Sequence, residues 1–241
     1  SRGVEQWTVR ASRALDSDPN GIDVGPLRYE VIKPLQTIKV SLNANEHQPI
    51  AFELVLEGVM PCVTEEREDR RTLTGYRHSA NQIRYHQIGV ASGWIEVEGQ
   101  RHEVTPLEWV MTRDHSWGLR PGVGLPMSGL QPDPVDAAAP EILAIWSPLL
   151  FQKPDRSHYG FHLYYLLYAG EGWRHEKLQG GFEWPDARRE GLKGFSPQLQ
   201  FDSRNCRLKG GHLNITNAQG EPQQWAVKVL GDTGFHLGAG L

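Results

Sequence analysis

Cysteine is nearly missing from this chain, with only Cys62 and Cys206 among 241 residues. Two thiols cannot build a disulfide framework; a single bridge stays open, and two reduced thiols fit a cytoplasmic protein. Long apolar runs are missing too. No stretch of ~18 apolar residues occurs, so nothing reads as a membrane-spanning helix. Neither sign of charge dominates: 25 Lys and Arg stand against 29 Asp and Glu, a formal net charge of −4. That balance offers no basic surface for a nucleic acid or an anionic membrane, so no nucleic-acid partner is expected. No leader peptide is apparent either. The chain opens on Ser1 rather than Met and closes on "GFHLGAGL", which reads like mid-strand. Further sequence is expected at both ends, with room for a lost targeting segment.

Several chemistries lack their motif. Gly122-Val123-Gly124 hints at a phosphate loop, but Pro126 and Pro132 forbid the helix that must follow, and no Lys-Ser/Thr pair completes it. The serines Ser92, Ser128 and Ser196 have the wrong neighbours for a nucleophile elbow. Ten histidines invite a metal, yet no HExxH or CxxC is present. His158 and His162 would share a strand face, but about 13 Å apart at ~3.3 Å per residue, too far for one ion. The expectation is no metal and no cofactor, with a site scattered over distant segments the one form left open.

Strand periodicity is what the chain does have. In "TIKVSLN" Ile38, Val40 and Leu42 share one face and Lys39, Ser41 and Asn43 the other. The same alternation marks Trp7–Ala11, Arg28–Ile32, Ile50–Glu57, Arg84–Val90, Trp94–Val97 and Arg101–Val104, with Gly99 at a tight hairpin. "ILAIWSPLLF" (142–151) and "YGFHLYYLLY" (159–168) are apolar or aromatic on both faces, as in strands covered on both sides or facing an apolar cavity. Further short strands with Gly, Asn and Asp turns follow. The pattern predicts an all-β protein of antiparallel barrels or sandwiches. "TEEREDRRTLTG" (64–75) reads as a solvated loop or linker, and "PGVGLPMSGLQPDPVDAAAP" (121–140) as a long loop over a barrel mouth. The domain boundary is placed in the first of these, giving domains at 1–70 and 76–241.

The block with most chemistry is "EWVMTRDHSWG" (108–118). As a strand it puts Thr112, Asp114 and Ser116 on one side and Arg113, His115 and Trp117 on the other. Asp114 then points away from Arg113. On a cavity wall it would be desolvated and its neutral form favoured, as protonation of an alkene requires. The rival reading is structural: Trp117 stacked on Arg113 closes one end of a small barrel by a cation–π contact.

"RYHQIGVASGWIEVEGQRHEV…TRDHSWGLRP" resembles the AttH-like and carotenoid 1,2-hydratase (hydroxyneurosporene synthase) superfamily, whose signature is RDHSWG or RDRSWG; the likeness runs from about Trp7 to Leu241. "GPLRYEVIKPLQTIKVSL…AFELVLEG" is similar to a bacterial branch of that group without assigned activity. The resemblance implies two lipocalin-like β-barrels in tandem, the first incomplete in this chain. It implies cofactor-free addition of water to a carbon–carbon double bond of a carotenoid, with Asp114 as proton donor; loss of a proton from the carbocation would instead give an isomer, and a terpenoid, other isoprenoid or steroid-like ligand fits the same cavity. The expected partner is a small apolar ligand, reached through loose membrane association if need be; nothing reports oligomeric state. His115 is a second candidate for catalysis. Trp117, Trp94, Tyr164, Trp146 and His86 are candidates for lining the substrate, because aromatic faces stabilise a carbocation. Arg113 is assigned to the barrel floor. A non-enzymatic lipid carrier and a cyclase shaped by its cavity are the alternatives.

Overall fold

Polar and apolar residues alternate in many segments of this chain, and strands of that kind hide their apolar face by stacking sheets. The computed structural model describes residues 11, 13, 14, 22–71, 75–119 and 141–230. The expected strand at Trp7–Ala11, Ala11 apart, and the 121–140 loop lie outside them. The elements are β1 (Leu27–Lys33), β2 (Thr37–Leu42), β3 (Ile50–Gly58), β4 (Val63–Thr64), β5 (Glu68–Arg71), β6 (His78–Val97), β7 (Gln100–Val104) and β8 (Val110–Leu119). They continue as β9 (Glu141–Gln152), β10 (His158–Gly170), β11 (Trp173–Glu183), β12 (Arg189–Gly191), β13 (Gly194–Phe201), β14 (Leu208–Thr216) and β15 (Pro222–Lys228). The protein is all-β, and the strand pairs among the described residues are antiparallel. Among the described residues no helix is long and apolar enough to cross a membrane.

The spine is β6, whose 20 residues merge two strands that the sequence pattern separates. Along one edge it pairs with β3, then β4, then β5; along the other with β7 and β8. The turn from β6 to β7 is the expected tight hairpin. Glu98 and Gly99 both take positive φ (52° and 77°), as a two-residue loop between twisted strands demands. With β1 and β2 outside β3, these eight strands make one sheet. The charge run at 64–75 departs from the loop reading, because β5 (Glu68–Arg71) pairs with Gln82–His78 of β6. Its polar side chains suit an outer strand, where charge keeps other chains from pairing. One sheet therefore spans the 70–76 boundary.

A second sheet has the order β12-β11-β10-β9 and a third β13-β14-β15; among the described residues all three sheets stay open, without a closed barrel. Strand β10 lies between the other two sheets, which explains its apolar character on both faces. Its odd residues Phe161, Leu163 and Tyr165 form the main core with Phe182 and Ile215, backed by Phe195, Leu213 and Trp225 of the third sheet. Its even residues face β6. Ile88 meets Gly160, His86 stacks on His162, and Arg84 lies over Tyr164. The first of these pairs is the tightest: a Cβ on Gly160 would sit 3.1 Å from both Ile88 Cδ1 and Met60 Cγ. Gly160→Val is expected to push the sheets apart at a cost of about 1–3 kcal/mol, read as a lower urea midpoint. An unchanged midpoint would mean that the two sheets do not pack at this position.

Candidate functional site

The second pair in this ladder brings polar chemistry into the seam. His86, from the middle of β6, is completely buried, and so is His162 of β10, at 1% exposure. Their rings stack with centroids 3.6 Å apart. Glu65, just after β4, brings its carboxylate to a nitrogen of each ring, with the side chain 5% exposed. Glu65 Oε1 lies 3.2 Å from His86 Nδ1 and 3.3 Å from His162 Nε2, and it accepts a hydrogen bond from Trp146 Nε1 at 3.1 Å. The second carboxylate is Glu183, at the end of β11, whose Oε1 lies 2.8 Å from His86 Nε2. His86 thus has a glutamate at each ring nitrogen.

Local backbone features hold these side chains in place. Glu66 fastens the charge run to β11: its N–H donates to Gln179 Oε1 at 3.1 Å, its Oε2 accepts from Gln179 Nε2 at 2.9 Å, and Lys177 pairs with the same oxygen at 3.2 Å. Opposite His162, β11 carries Gly180 and Gly181. Gly180 has φ +119°, and a Cβ on it would overlap the His162 carbonyl oxygen, so glycine alone lets β11 lie this close.

The electrostatics follow from burial and from these partners. Burial pushes the Glu65 carboxyl up, but the His162, His86 and Trp146 nitrogens around it outweigh that and hold it far below the usual carboxylate range. For His86 burial works against the charged ring, while the bonds to Glu183 and Glu65 more than compensate and raise its pKa. His162 goes the other way: burial, helped by the neighbouring His86 charge, exceeds the pull of Glu65 and lowers it. Within Glu65, His86, His162 and Glu183, two buried atoms lack a well-aligned hydrogen bond: His162 Nε2, off the line to Glu65, and Glu183 Oε2. The ligand atoms of Glu65, His86 and His162 all lie within 4.8 Å of one another, so these three could hold a metal ion.

The cluster reaches solvent through a cavity of about 310 Å³, lined by Glu65, Gln82, Arg84, Tyr164, Leu166 and Lys177 together with charged side chains of the 66–70 segment. Arg84 joins cleft and cluster. Its Nη1 lies 3.5 Å from Glu65 Oε2, and its guanidinium lies 5.8 Å from the Tyr164 ring centre. Burial pushes the Tyr164 phenol up, with Glu68 adding to the effect.

Of the residues singled out from sequence, His86, Trp146 and Tyr164 meet at this cluster and its cleft. Asp114 sits beside it, since His86 and Asp114 are register partners on β6 and β8. The expectation of a desolvated acid is corrected. Asp114 keeps 42% of its side chain exposed and pairs with Arg84 Nε at 3.4 Å. The strand period does turn it away from Arg113, but β6 supplies a different arginine. The opposite face carries the rest of the motif. Tyr85 stacks on His115 at 5.0 Å, and Trp117 meets both edge-on. Burial, then the Arg113 charge, lowers the His115 pKa. Arg113 donates to the Tyr29 hydroxyl at 2.7 Å and lies over the Tyr85 ring at 5.0 Å. The expected Trp117–Arg113 stack is thus a Tyr85–Arg113 stack, with Trp117 half-exposed. Trp94 lies eight residues along β6 from His86, ~26 Å away at ~3.3 Å per residue. It packs under Arg101 at 3.8 Å and takes no part in the site.

Sequence reasoning missed Glu65, Glu183 and the role of His162. Glu65 is one of several acids in a run that reads as solvated, and the four residues of the cluster come from four separate segments. The parity of β6, which sets His86 opposite Tyr85 and Gln87, is legible in the sequence, but the register that brings His86 level with Asp114 is not.

Fold and site define an all-β protein of stacked antiparallel sheets with a buried glutamate–histidine cluster opening to a polar cleft. The chain belongs to a family of unknown function (DUF8625), which matches residues 1–177. That span holds Glu65, His86 and His162 but not Glu183. No curated protein and no solved structure matches the chain.

Proposed function

We propose that the chain is an enzyme of hydratase or isomerase type that moves a proton to or from a carbon–carbon double bond of an unsaturated, isoprenoid- or steroid-like substrate in the cleft over Glu65, Arg84 and Tyr164. The observation that carries this reading is His86, wholly buried, with a glutamate at both ring nitrogens, one of which also lines the open cleft. Packing alone does not favour such a group, because well-packed apolar side chains in place of a buried ion network are often neutral or stabilising by about 1–4 kcal/mol. The resemblance of the RDHSWG block to double-bond hydratases supports the reaction class.

Glu65 is the one group shared by cluster and cleft, so it is the residue through which the cluster acts on a substrate or on a water. Arg84 and the Tyr164 hydroxyl present donors to an oxygen on the substrate. A pure hydrocarbon finds few partners against such a wall, so the substrate carries an oxygen function at the end that enters. Asp114, paired with Arg84, positions that arginine and does not itself donate the proton.

The test is incubation with oxygenated terpenoids, polyenes and steroids in water carrying heavy oxygen and deuterium. Incorporation of either label into recovered ligand is the expected result. Ligands that bind in the cleft and take up no label would overturn the enzyme reading in favour of a carrier.

A further inference from the structure

We propose that Glu65, His86 and His162 form a binding site for a divalent transition-metal ion, with Glu183 and Trp146 as its outer supports. The inference rests on the reading of the seam cluster as the functional centre. Two histidines and one carboxylate, with further positions open, are a recurrent donor set for iron(II) and zinc. In this chain the three donors come from separate segments and converge, with Glu65 Oε1 at 3.2 Å from His86 Nδ1 and 3.3 Å from His162 Nε2.

The second ring nitrogen of His86 makes the stronger case. Ligating histidines nearly always have their other nitrogen held by a carboxylate or carbonyl, which fixes the tautomer and turns the ring. His86 Nε2 has that partner in Glu183 Oε1, at 2.8 Å. With the Nε2 proton committed to Glu183, a neutral His86 points the Nδ1 lone pair at the lone pairs of Glu65 Oε1. A positive species has to lie between them, either a proton or a cation. His162 then distinguishes the two. Its Nε2 faces the same oxygen at 3.3 Å, buried and off the line of a good hydrogen bond. A proton on His86 leaves that nitrogen with only this poorly aligned contact, whereas a metal ion would take up its lone pair. Trp146 Nε1–H on Glu65 Oε1 completes the support of the carboxylate.

Charge points the same way. Glu65 and Glu183 bring two negative charges, and stacked rings 3.6 Å apart do not readily carry a positive charge each. Arg84, 3.5 Å from Glu65 Oε2, and Arg189, 4.0 Å from Glu183 Oε1, offset part of the deficit. Neither lies between the donors. The cleft reaches the proposed site along Glu65, which leaves an approach for a water or a substrate oxygen.

The experiment uses the full chain, stripped with chelator and titrated with cobalt(II) and with zinc. Cobalt absorption bands report the ligand field, and elemental analysis of gel-filtered protein reports stoichiometry. One ion per chain is expected. Glu65→Gln and His162→Gln should each abolish stoichiometric uptake, Glu183→Gln should weaken it by about 10–100-fold, and His158→Gln, on the same strand outside the cluster, should leave it unchanged. No uptake by the wild-type protein overturns the proposal, and this needs no variant to fold. Uptake that survives in both Glu65→Gln and His162→Gln, with near-ultraviolet dichroism showing intact packing, overturns it as well. Metal uptake without turnover of any unsaturated ligand would sink the preceding functional reading alone; label incorporation by metal-free protein, with no uptake on titration, would sink this one alone.

Discussion

His86→Ala is expected to destabilise the protein by about 3–5 kcal/mol, measured as a urea midpoint in the presence of chelator. The cause is electrostatic more than steric. His86 lies between Glu65 at 3.2 Å and Glu183 at 2.8 Å, and both carboxylates are at most 5% exposed. Removing the ring leaves two buried charges with Arg84 and Arg189 at longer range as their remaining cations. The ring stacked on His162 goes too, adding an empty volume to the seam. The complementary variant sharpens the point. Replacing Glu65, His86, His162 and Glu183 together by Leu or Phe of matching volume is expected to be neutral or to gain about 1–4 kcal/mol. A single substitution costing under about 1 kcal/mol, the range of an exposed ion pair, would show that the cluster is open to water and is no built site.

The largest effect on activity is expected at Glu65 and not at the aspartate of the RDHSWG block. Glu65→Gln keeps the shape and the acceptor to Trp146 but removes the charge shared by cluster and cleft. Label incorporation should fall by about 10²–10⁴-fold, the usual contribution of a positioned acid or base, because Glu65 is the link between the protonatable His86 and the cleft. Asp114→Asn should cost less than about 10-fold, because an exposed carboxylate next to an arginine contributes little on its own. The resemblance to hydratases implies the opposite order. Loss of turnover in Asp114→Asn with turnover retained in Glu65→Gln would return the proton to Asp114 and leave the seam cluster as structure.

Much of the fold is legible in the sequence because strands announce themselves locally. Ile38, Val40 and Leu42 show their shared face, Gly99 shows its turn, and the two-sided apolar run at 159–168 shows a strand covered on both sides. Parity within one strand also survives: Asp114 and Arg113 do point opposite ways, and Tyr85 and Gln87 lie opposite His86. What is not legible is how one sheet's face registers on another's. Whether His162 meets His86 or slides past it depends on Gly160 fitting under Ile88 and Met60 and on Gly180 allowing β11 close, which no window of sequence contains. Hidden for the same reason, Glu65 carries the same composition as its exposed neighbours and differs only in what packs over it. The charge run misled for a related cause: an outer strand can be as polar as a linker, and β5 is paired through its backbone.

Chemistry at the seam, beside His86 and His162, is distinguishable from chemistry on the aromatic face around His115 and Trp117. Long-range proton–nitrogen spectra of the histidine rings test it most directly, recorded with and without a ligand that the protein binds or turns over. With chemistry at the seam, ligand is expected to shift the ring nitrogens of His86 and His162 and to leave those of His115 in place. Shifts confined to His115, with both seam histidines unmoved, would contradict it.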